Sequence, residues 1–414
     1  IGGAGFYYIH GVGNFYFASI AYCILAVITG TLGRRFWVLS RKYPEIRSPI
    51  QLYLRHFNSP GLETCFVVVS LLCLVPYMAA QITGFGWLVQ SALGVPYLYA
   101  AGAGLVVVFL YSEAGGIKNI VKTDVLQSLM TIVGCIGVVA VFIWSFWKWD
   151  LAAFFEEVDA LAEPSLLGIP GPEGFYSVLN IASLALLISL GAVPMAHNAQ
   201  RYMMVRDVVY LKRLMWMFPL MGIFVTVAAG FIGLGGAVQF PGLESGDQVI
   251  GAVTASVLPV VGALATIGII AATMSTADSI LLSVGFVVSE QWYRGRSNEG
   301  AKAVLRLNRW CALAVILFAF VSSIRPELIT QFAFNAFGGM LQLAPVMIAG
   351  VYEIKVGKVA AAISFSLGIC IVVVGTMDFY GELIPLKIPP YLLGFFVACL
   401  ALLIARAWVF FKSR

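Results

Sequence analysis

Charge is scarce in this chain. Only 11% of its 414 residues are Asp, Glu, Lys or Arg while 61% are hydrophobic, too few charges to cover a water-soluble fold of this size. Histidines number three, and the seven cysteines (23, 65, 73, 135, 311, 370 and 399) fall in or beside apolar runs without paired spacing. That excludes a disulfide framework and a metal knuckle. No G-x-x-x-x-G-K-[ST] loop occurs, and the nearest run, Gly295 to Gly300 followed by Ala-Lys, has the wrong order. There is no H-E-x-x-H and no G-x-S-x-G either. Nucleotide hydrolysis and intramembrane catalysis are therefore not expected, and the chain does not read as an enzyme.

What it has instead is length of apolar sequence. Eleven runs, near 14–33, 62–92, 97–113, 124–147, 176–196, 213–238, 258–292, 303–324, 328–352, 357–377 and 391–411, are long enough to cross a hydrocarbon core of about 30 Å as helices. They are too long, and alternate too weakly, for barrel strands of about ten residues. The expected class is an all-α integral membrane protein, a single helical bundle over 1–414. If the first run ends in the cytoplasm, 22 of the 25 basic residues lie on that side, and only Lys148, Arg325 and Lys387 fall outside. This orientation puts the chain start outside and the chain end in the cytoplasm of a cell (plasma or inner) membrane, and the net charge of +5 then reports topology and not nucleic-acid binding.

Several runs are interrupted: at Pro76, at Gly191 to Pro194, at Pro219, and at Phe337-Gly338-Gly339-Met340. Broken helices expose backbone at membrane depth and are tolerated where they line a protein-enclosed cavity, which favours a transporter. The stretch from Arg34 to Pro60 alternates basic and apolar residues and predicts an interfacial amphipathic helix. The segment Lys148 to Phe175 is acidic and proline-bearing, an outside loop with a short surface helix. The opening Ile-Gly-Gly-Ala-Gly-Phe-Tyr-Tyr has no initiator Met, and the expectation is that a helix upstream of it is missing.

The run near 258–292 carries Ala-Ala-Thr-Met-Ser-Thr-Ala-Asp-Ser (271–279). Ala272, Ser275, Thr276 and Ser279 fall at i, i+3, i+4 and i+7, on one helix face. Two hydroxyls and the carbonyl of a small residue are hard, neutral oxygens suited to an alkali or alkaline-earth cation. Asp278, about 60° round the helix from Ser275, adds negative charge, and a bound cation would offset its cost at membrane depth. The structural alternative is that these hydroxyls bond their own i−4 carbonyls. A second acid, Asp124, opens the run at 124–147, where it serves equally as a helix N-cap.

Three segments carry a resemblance: Gly-Gly-Ile-Lys-Asn-Ile-Val-Lys-Thr-Asp-Val-Leu-Gln (115–127), His-Asn-Ala-Gln-Arg-Tyr (197–202) and Met-Ser-Thr-Ala-Asp-Ser-Ile-Leu-Leu-Ser (274–283). In order and spacing they are similar to signatures of the sodium:solute symporter family. The resemblance implies a leucine-transporter-like core of two inverted five-helix repeats. The remainder of the first would occupy 14–147, its broken first helix being the missing one, the second 176–352, and two accessory helices 353–414. It further implies sodium as the coupling ion, with Ala272, Ser275 and Thr276 at a first site and Asp124, Ser275, Asp278 and Ser279 at a second. Gln200 and Arg201 would lie in a cytoplasmic loop, with a structural or gating role.

The runs 1–8 and 32–43 are similar to members that carry pantothenate or monocarboxylates. Polar residues available to a solute pocket are few: Gln81, Ser189, Asn335 and Gln342. Unpaired hydroxyls of a sugar would each cost about 1–3 kcal/mol in such a site, so a small, partly apolar organic acid is the expected solute. The partners are thus sodium, a small organic solute and the lipid bilayer. A proton-coupled or uncoupled carrier and a transporter-like membrane sensor are the alternatives.

Overall fold

The computed structural model describes residues 2–161, 165–292, 299–325, 329–375 and 388–412, with backbone alone at 113–121, 286, 289, 290, 292, 299–302 and 412. The described residues are helical almost throughout and contain no strand. A half-helix α1 (Gly2–His10) precedes α2 (Gly13–Lys42), α3 (Pro49–Leu54) and α4 (Pro60–Leu93). The helical stretch Tyr97–Trp147 contributes two arms, α5 (Tyr97–Ser112) and α6 (Lys122–Trp147). After the surface helix α7 (Leu151–Asp159) come α8 (Val178–Gly191), α9 (Ala196–Met204), α10 (Val208–Gln239) and the short α11 (Val249–Ser256). The chain continues with α12 (Pro259–Trp292), α13 (Glu299–Ser323), α14 (Ile329–Leu341), α15 (Ala344–Val351), α16 (Lys358–Val374) and α17 (Pro390–Lys412).

Seven of these helices are long and apolar enough to span a membrane. The bent pairs α8/α9 and α14/α15 qualify as broken spans, and α5 and α16 are shorter apolar helices. Each of the eleven apolar runs in the sequence corresponds to one of these. Starts and stops follow local chemistry. The hydroxyl of Ser59 accepts from Leu62 N at the start of α4, Ser177 does the same for Asn180 N at α8, and the Asp207 carboxylate for Val209 N at α10. Gly94, at φ +68°, closes α4 in the left-handed region.

Two expected breaks are real: α8 meets α9 at 57° and α14 meets α15 at 47°. The second lies at Gln342-Leu343, just past the Gly338-Gly339 pair. The other two are not breaks, since α4 runs unbroken through Pro76 and α10 through Pro219. A proline inside a membrane bundle is tolerated when neighbouring groups satisfy the carbonyl it frees. The stretch from Arg34 to Pro60 also departs from expectation. It forms the end of α2, then α3 and a 3₁₀ turn, and Phe36, Leu39, Ile50, Leu52 and Leu54 are buried in protein instead of lying in a lipid interface. Its polar side is tied down by Arg55 Nη2, 2.6 Å from Glu353 Oε1.

The packing pairs off by a two-fold rule. Helices α2 and α10 pack on each other, as do α4 and α12; α6 lies along α12 as α14 lies along α4; α4 meets α5 as α12 meets α13. Five helices per half is an odd number, so the second half enters the bilayer in the opposite sense, which makes the repeats inverted. Helix α1 packs on α10 as α9 packs on the inner end of α2. By the same rule α1 holds in the first half the place that α9 holds in the second. The opening residues, expected as an outside entry, are therefore a buried half-helix, with Gly2, Ala4, Gly5, Phe6, Tyr7 and His10 all covered.

Candidate functional site

Small residues bring α6 and α12 unusually close. A Cβ at Gly268 would stand 2.5 Å from the carbonyl oxygen of Met130, so only glycine permits this approach. The Thr131 hydroxyl uses it to donate to Gly268 O at 2.7 Å. Moving inward along the antiparallel pair, Gln127 and Asp124 follow Thr131 on one face of α6, at i−4 and i−7, while Ser275 and Ser279 follow Gly268 on α12 at i+7 and i+11. The candidate ion residues of the two helices thus share one seam.

Within α12, Thr276 Oγ1 donates to Ala272 O at 3.2 Å, so two of the three residues expected at the first sodium site are adjacent, and the hydroxyl is held by its own helix as in the structural alternative. Ser275 is half-buried beside them. At the second set, Asp278 is 1% exposed, and neither carboxylate oxygen has a hydrogen-bond partner among the described residues. A charged side chain at the centre of a membrane helix costs roughly 2.5–3.5 kcal/mol on insertion scales, and no described residue pairs with this one. Asp124 Oδ1 and Gln127 Oε1 are also buried without partners among the described residues.

Arg201 brings a positive charge to this seam. It lies in α9 itself, the inner arm of a broken helix, and not in the loop beyond it. Its Nη2 donates to Ser279 Oγ at 2.9 Å and stands 3.4 Å from Asp124 Oδ2. One guanidinium therefore joins α9, α12 and α6. The sequence signal for this residue is the polar face His197, Gln200, Arg201 directly after a helix break: His197 stacks on Tyr77 of α4 at 6.1 Å and Gln200 is buried.

The four residues expected to bind solute lie on α4, α8 and α14 and at the α14/α15 bend. Ser189 is buried, but its hydroxyl donates to Ala185 O at 2.7 Å within α8. Gln81 is half-buried in α4, with its amide 3.4 Å from Tyr77 O, and Asn335 is exposed on α14. Gln342 is a brace: its Nε2 donates to Gly338 O and to Tyr391 O of α17, both at 3.0 Å.

A cavity of about 240 Å³ lies among α1, α2, α8, α10 and α14, with Asn14, Thr226, Thr330 and the Tyr22 phenol as its polar groups and Phe17 and Phe334 as further aromatic walls. None of the four expected residues lines it. The Thr330 hydroxyl is buried without a partner among the described residues. Phe17 and Phe334 continue into an aromatic cluster with Phe6, Phe175 and Tyr176. Asn14, Thr226 and Thr330, isolated polar residues within or beside apolar runs, gave no periodic signal, so the sequence did not single them out.

Beside this cavity, between α10 and α11, Asp247 is fully buried. Its Oδ2 accepts from Ile329 N, the first amide of α14, at 2.6 Å. A Cβ on Gly5 of α1 would meet its Oδ1 at 2.7 Å. Burial pushes this carboxyl up to about 6, although the Ile329 amide pulls the other way. Asp247 ties α1 to the outer end of α14.

Residues 1–400 match the family model described as Sodium:solute symporter family. The sodium/pantothenate symporter of Haemophilus influenzae is 26% identical over 379 residues, covering 89% of this chain and 77% of that protein. The sodium/proline symporter of Escherichia coli is 24% identical over 346 residues, covering 78% and 66%. Among solved structures, a Na+-coupled sialic acid symporter in a substrate-bound outward-open state superposes with a TM-score of 0.75 at 15% identity, covering 98% of this chain and 85% of that one. That likeness establishes the fold.

Proposed function

Because the chain belongs to the sodium:solute symporter family, we propose that this multi-pass, sodium-coupled symporter imports a small, partly apolar organic carboxylate, of monocarboxylate or pantothenate type, by alternating access. The observation that carries the ion half is Asp278: a fully covered carboxylate whose two oxygens have no partner among the described residues, one residue from Ser279 and on the helix that carries Ser275. A sodium ion held by Asp278, Asp124, Ser275 and Ser279 offsets the buried charge, and Ala272, Ser275 and Thr276 form the other ion position on the same helix. Hard oxygens of this kind suit an alkali cation.

The cavity supports the solute half. Four neutral hydrogen-bonding side chains and aromatic walls suit a small molecule with few polar groups, and no charged residue lines it among the described residues, so sodium supplies the countercharge to a carboxylate. The relatives named for pantothenate and for proline carry solutes that are both small carboxylates. The bends at α8/α9 and α14/α15 let inner and outer arms move separately around the α6–α12 frame, with the basic loops facing the cytoplasm.

The test is uptake of labelled pantothenate, pyruvate, lactate and proline into liposomes bearing the purified protein, under an inward sodium gradient or an equal potassium gradient, each repeated across pH. Uptake of one of the acids that needs sodium supports this reading. Uptake that tracks pH and ignores sodium replaces it with a proton-coupled carrier, and a preference for proline over the other acids moves the solute from the monocarboxylate or pantothenate type to an amino acid.

A further inference from the structure

We propose that Arg201 is a tethered counter-ion for the second sodium position: its guanidinium occupies the oxygens of Asp124 and Ser279 while that position holds no ion, and incoming sodium displaces it. The inference rests on the sodium-coupled reading above.

Both contacts use one nitrogen, Nη2, at 2.9 Å from Ser279 Oγ and 3.4 Å from Asp124 Oδ2. The two acceptors belong to different helices, and they are oxygens that the ion reading assigns to sodium. An oxygen turned toward a guanidinium is not turned toward a metal ion, and two cations drawn to one carboxylate repel at contact distance. Arg201 and sodium are alternatives there. The neighbouring Asp278 shows the incompleteness of the substitute. Both of its oxygens remain unpartnered among the described residues, so the guanidinium reaches one acid of the pair and leaves the other for an ion small enough to sit between them.

Arg201 also has somewhere to go. Its side chain is 58% exposed, so a change of rotamer carries the charge into water. The backbone of α9 need not follow, because the end of α9 is fastened to α2. The Tyr202 hydroxyl stands 3.3 Å from Thr29 Oγ1, while Trp37 Nε1 and Arg41 Nη2 both donate to Val205 O at 2.9 Å. Releasing the guanidinium uncouples the inner arm of a broken helix from the ion-bearing pair α6 and α12 and leaves it fixed to α2. Ion occupancy is thereby passed to an element that can pivot. The competing account is a partly exposed ion pair of little consequence, and it predicts no change in sodium affinity when the arginine is removed.

The experiment is a sodium titration of the melting temperature of the full-length protein, with sodium replacing choline at constant ionic strength, checked by binding of radioactive sodium. Wild type is compared with Arg201→Gln, Arg201→Lys and the double variant Arg201→Gln/Asp124→Asn. The expected result is a half-saturating sodium concentration about fivefold lower in Arg201→Gln, the factor that a partly exposed pair supports. Arg201→Lys should stay near wild type, and the gain should vanish when Asp124 is also neutralised. An unchanged or higher half-saturating concentration in Arg201→Gln overturns the proposal, as does a gain that persists in the double variant. Arg201→Met keeps the apolar stem and carries the same expectation if the glutamine variant does not fold. A wild type with no sodium-specific shift instead removes the sodium reading itself, which separates that failure from this one.

Discussion

The Thr131 hydroxyl of α6 reaches the carbonyl of Gly268 on α12 at 2.7 Å, across a contact that leaves no room for a methyl group on the glycine. Gly268→Ala would put a Cβ 2.5 Å from backbone, Met130 O, and backbone cannot rotate aside as a side chain can. The helices must part, at a cost of about 1–3 kcal/mol. The expected outcome is a protein that still inserts, melts lower, and has lost most of its sodium-specific stabilisation, read as the difference between melting curves in sodium and in choline.

Replacing either hydroxyl of the first ion position, Ser275→Ala or Thr276→Ala, should raise the sodium concentration for half-maximal uptake about tenfold, the change that follows from 1.4 kcal/mol of lost coordination. Thr276→Ser keeps the oxygen that bonds Ala272 O and should stay near wild type. Equal sodium dependence in Ser275→Ala, Thr276→Ala and wild type would remove Ser275 and Thr276 from the ion site.

Asp278→Asn should move two quantities in opposite directions. In sodium-free solution the variant should be the more stable protein, by about 1–3 kcal/mol, because it no longer holds a covered carboxylate without partners. In sodium the advantage should disappear, since the variant gains nothing from the ion. Calorimetry in the two salts gives both numbers. A variant less stable than wild type without sodium would mean that an unrecognised partner serves this acid.

Asp247 gives stability a pH dependence of definite sign. Its carboxyl titrates at about 6 in the fold against 3.8 when free. Between these values the folded chain binds the extra proton. Stability is therefore full below pH ~4 and falls as pH rises through ~6, by on the order of 3 kcal/mol. Asp247→Asn imitates the protonated form and should flatten that part of the curve. Melting temperatures of both proteins, measured across this window, check it.

At the solute cavity, Thr330→Val removes a hydroxyl that has no other partner among the described residues and keeps the volume. It should raise the solute KM about tenfold, as the loss of one hydrogen bond of some 1.4 kcal/mol does, and leave the half-saturating sodium concentration in solute-free melts unchanged. Gln342→Leu should do the reverse of what a pocket residue does, lowering the melting temperature while the order of preferred solutes stays the same.

The spans were legible because hydrocarbon imposes a length, and every apolar run met it. The ion seam was legible because Ala272, Ser275, Thr276 and Ser279 repeat with the helix period, so one dimension was enough to bring them to a single face. The cavity proposed for the solute was not legible, because Asn14, Thr226 and Thr330 come from three distant helices and share no period. The four polar residues chosen in their place were conspicuous for standing near breaks, yet Ser189 and Gln342 spend their hydrogen bonds locally. Arg201 was misplaced for a related reason: a charged residue after a break reads as a loop, whereas the chain resumes its helix at Ala196 and carries the charge back toward the bundle. Pro76 and Pro219 misled in the opposite sense, since proline marks a break in water more reliably than inside a packed membrane bundle.

Tyr391, at the start of α17, touches both discontinuous helices: its hydroxyl stands 3.2 Å from Ser183 Oγ of α8, and its carbonyl accepts from Gln342 at the bend between α14 and α15. Much of α17 faces away from the protein, with Phe396, Leu400, Leu403, Ile404 and Trp408 exposed. This outward-facing helix is thus bonded at the α14/α15 bend, through Gln342, and within α8, through Ser183. A bilayer too thick or too thin for α17 tilts it, and that tilt pulls on the α14/α15 bend and on α8 together, so the thickness of the surrounding lipid acts as a mechanical load on the transport cycle.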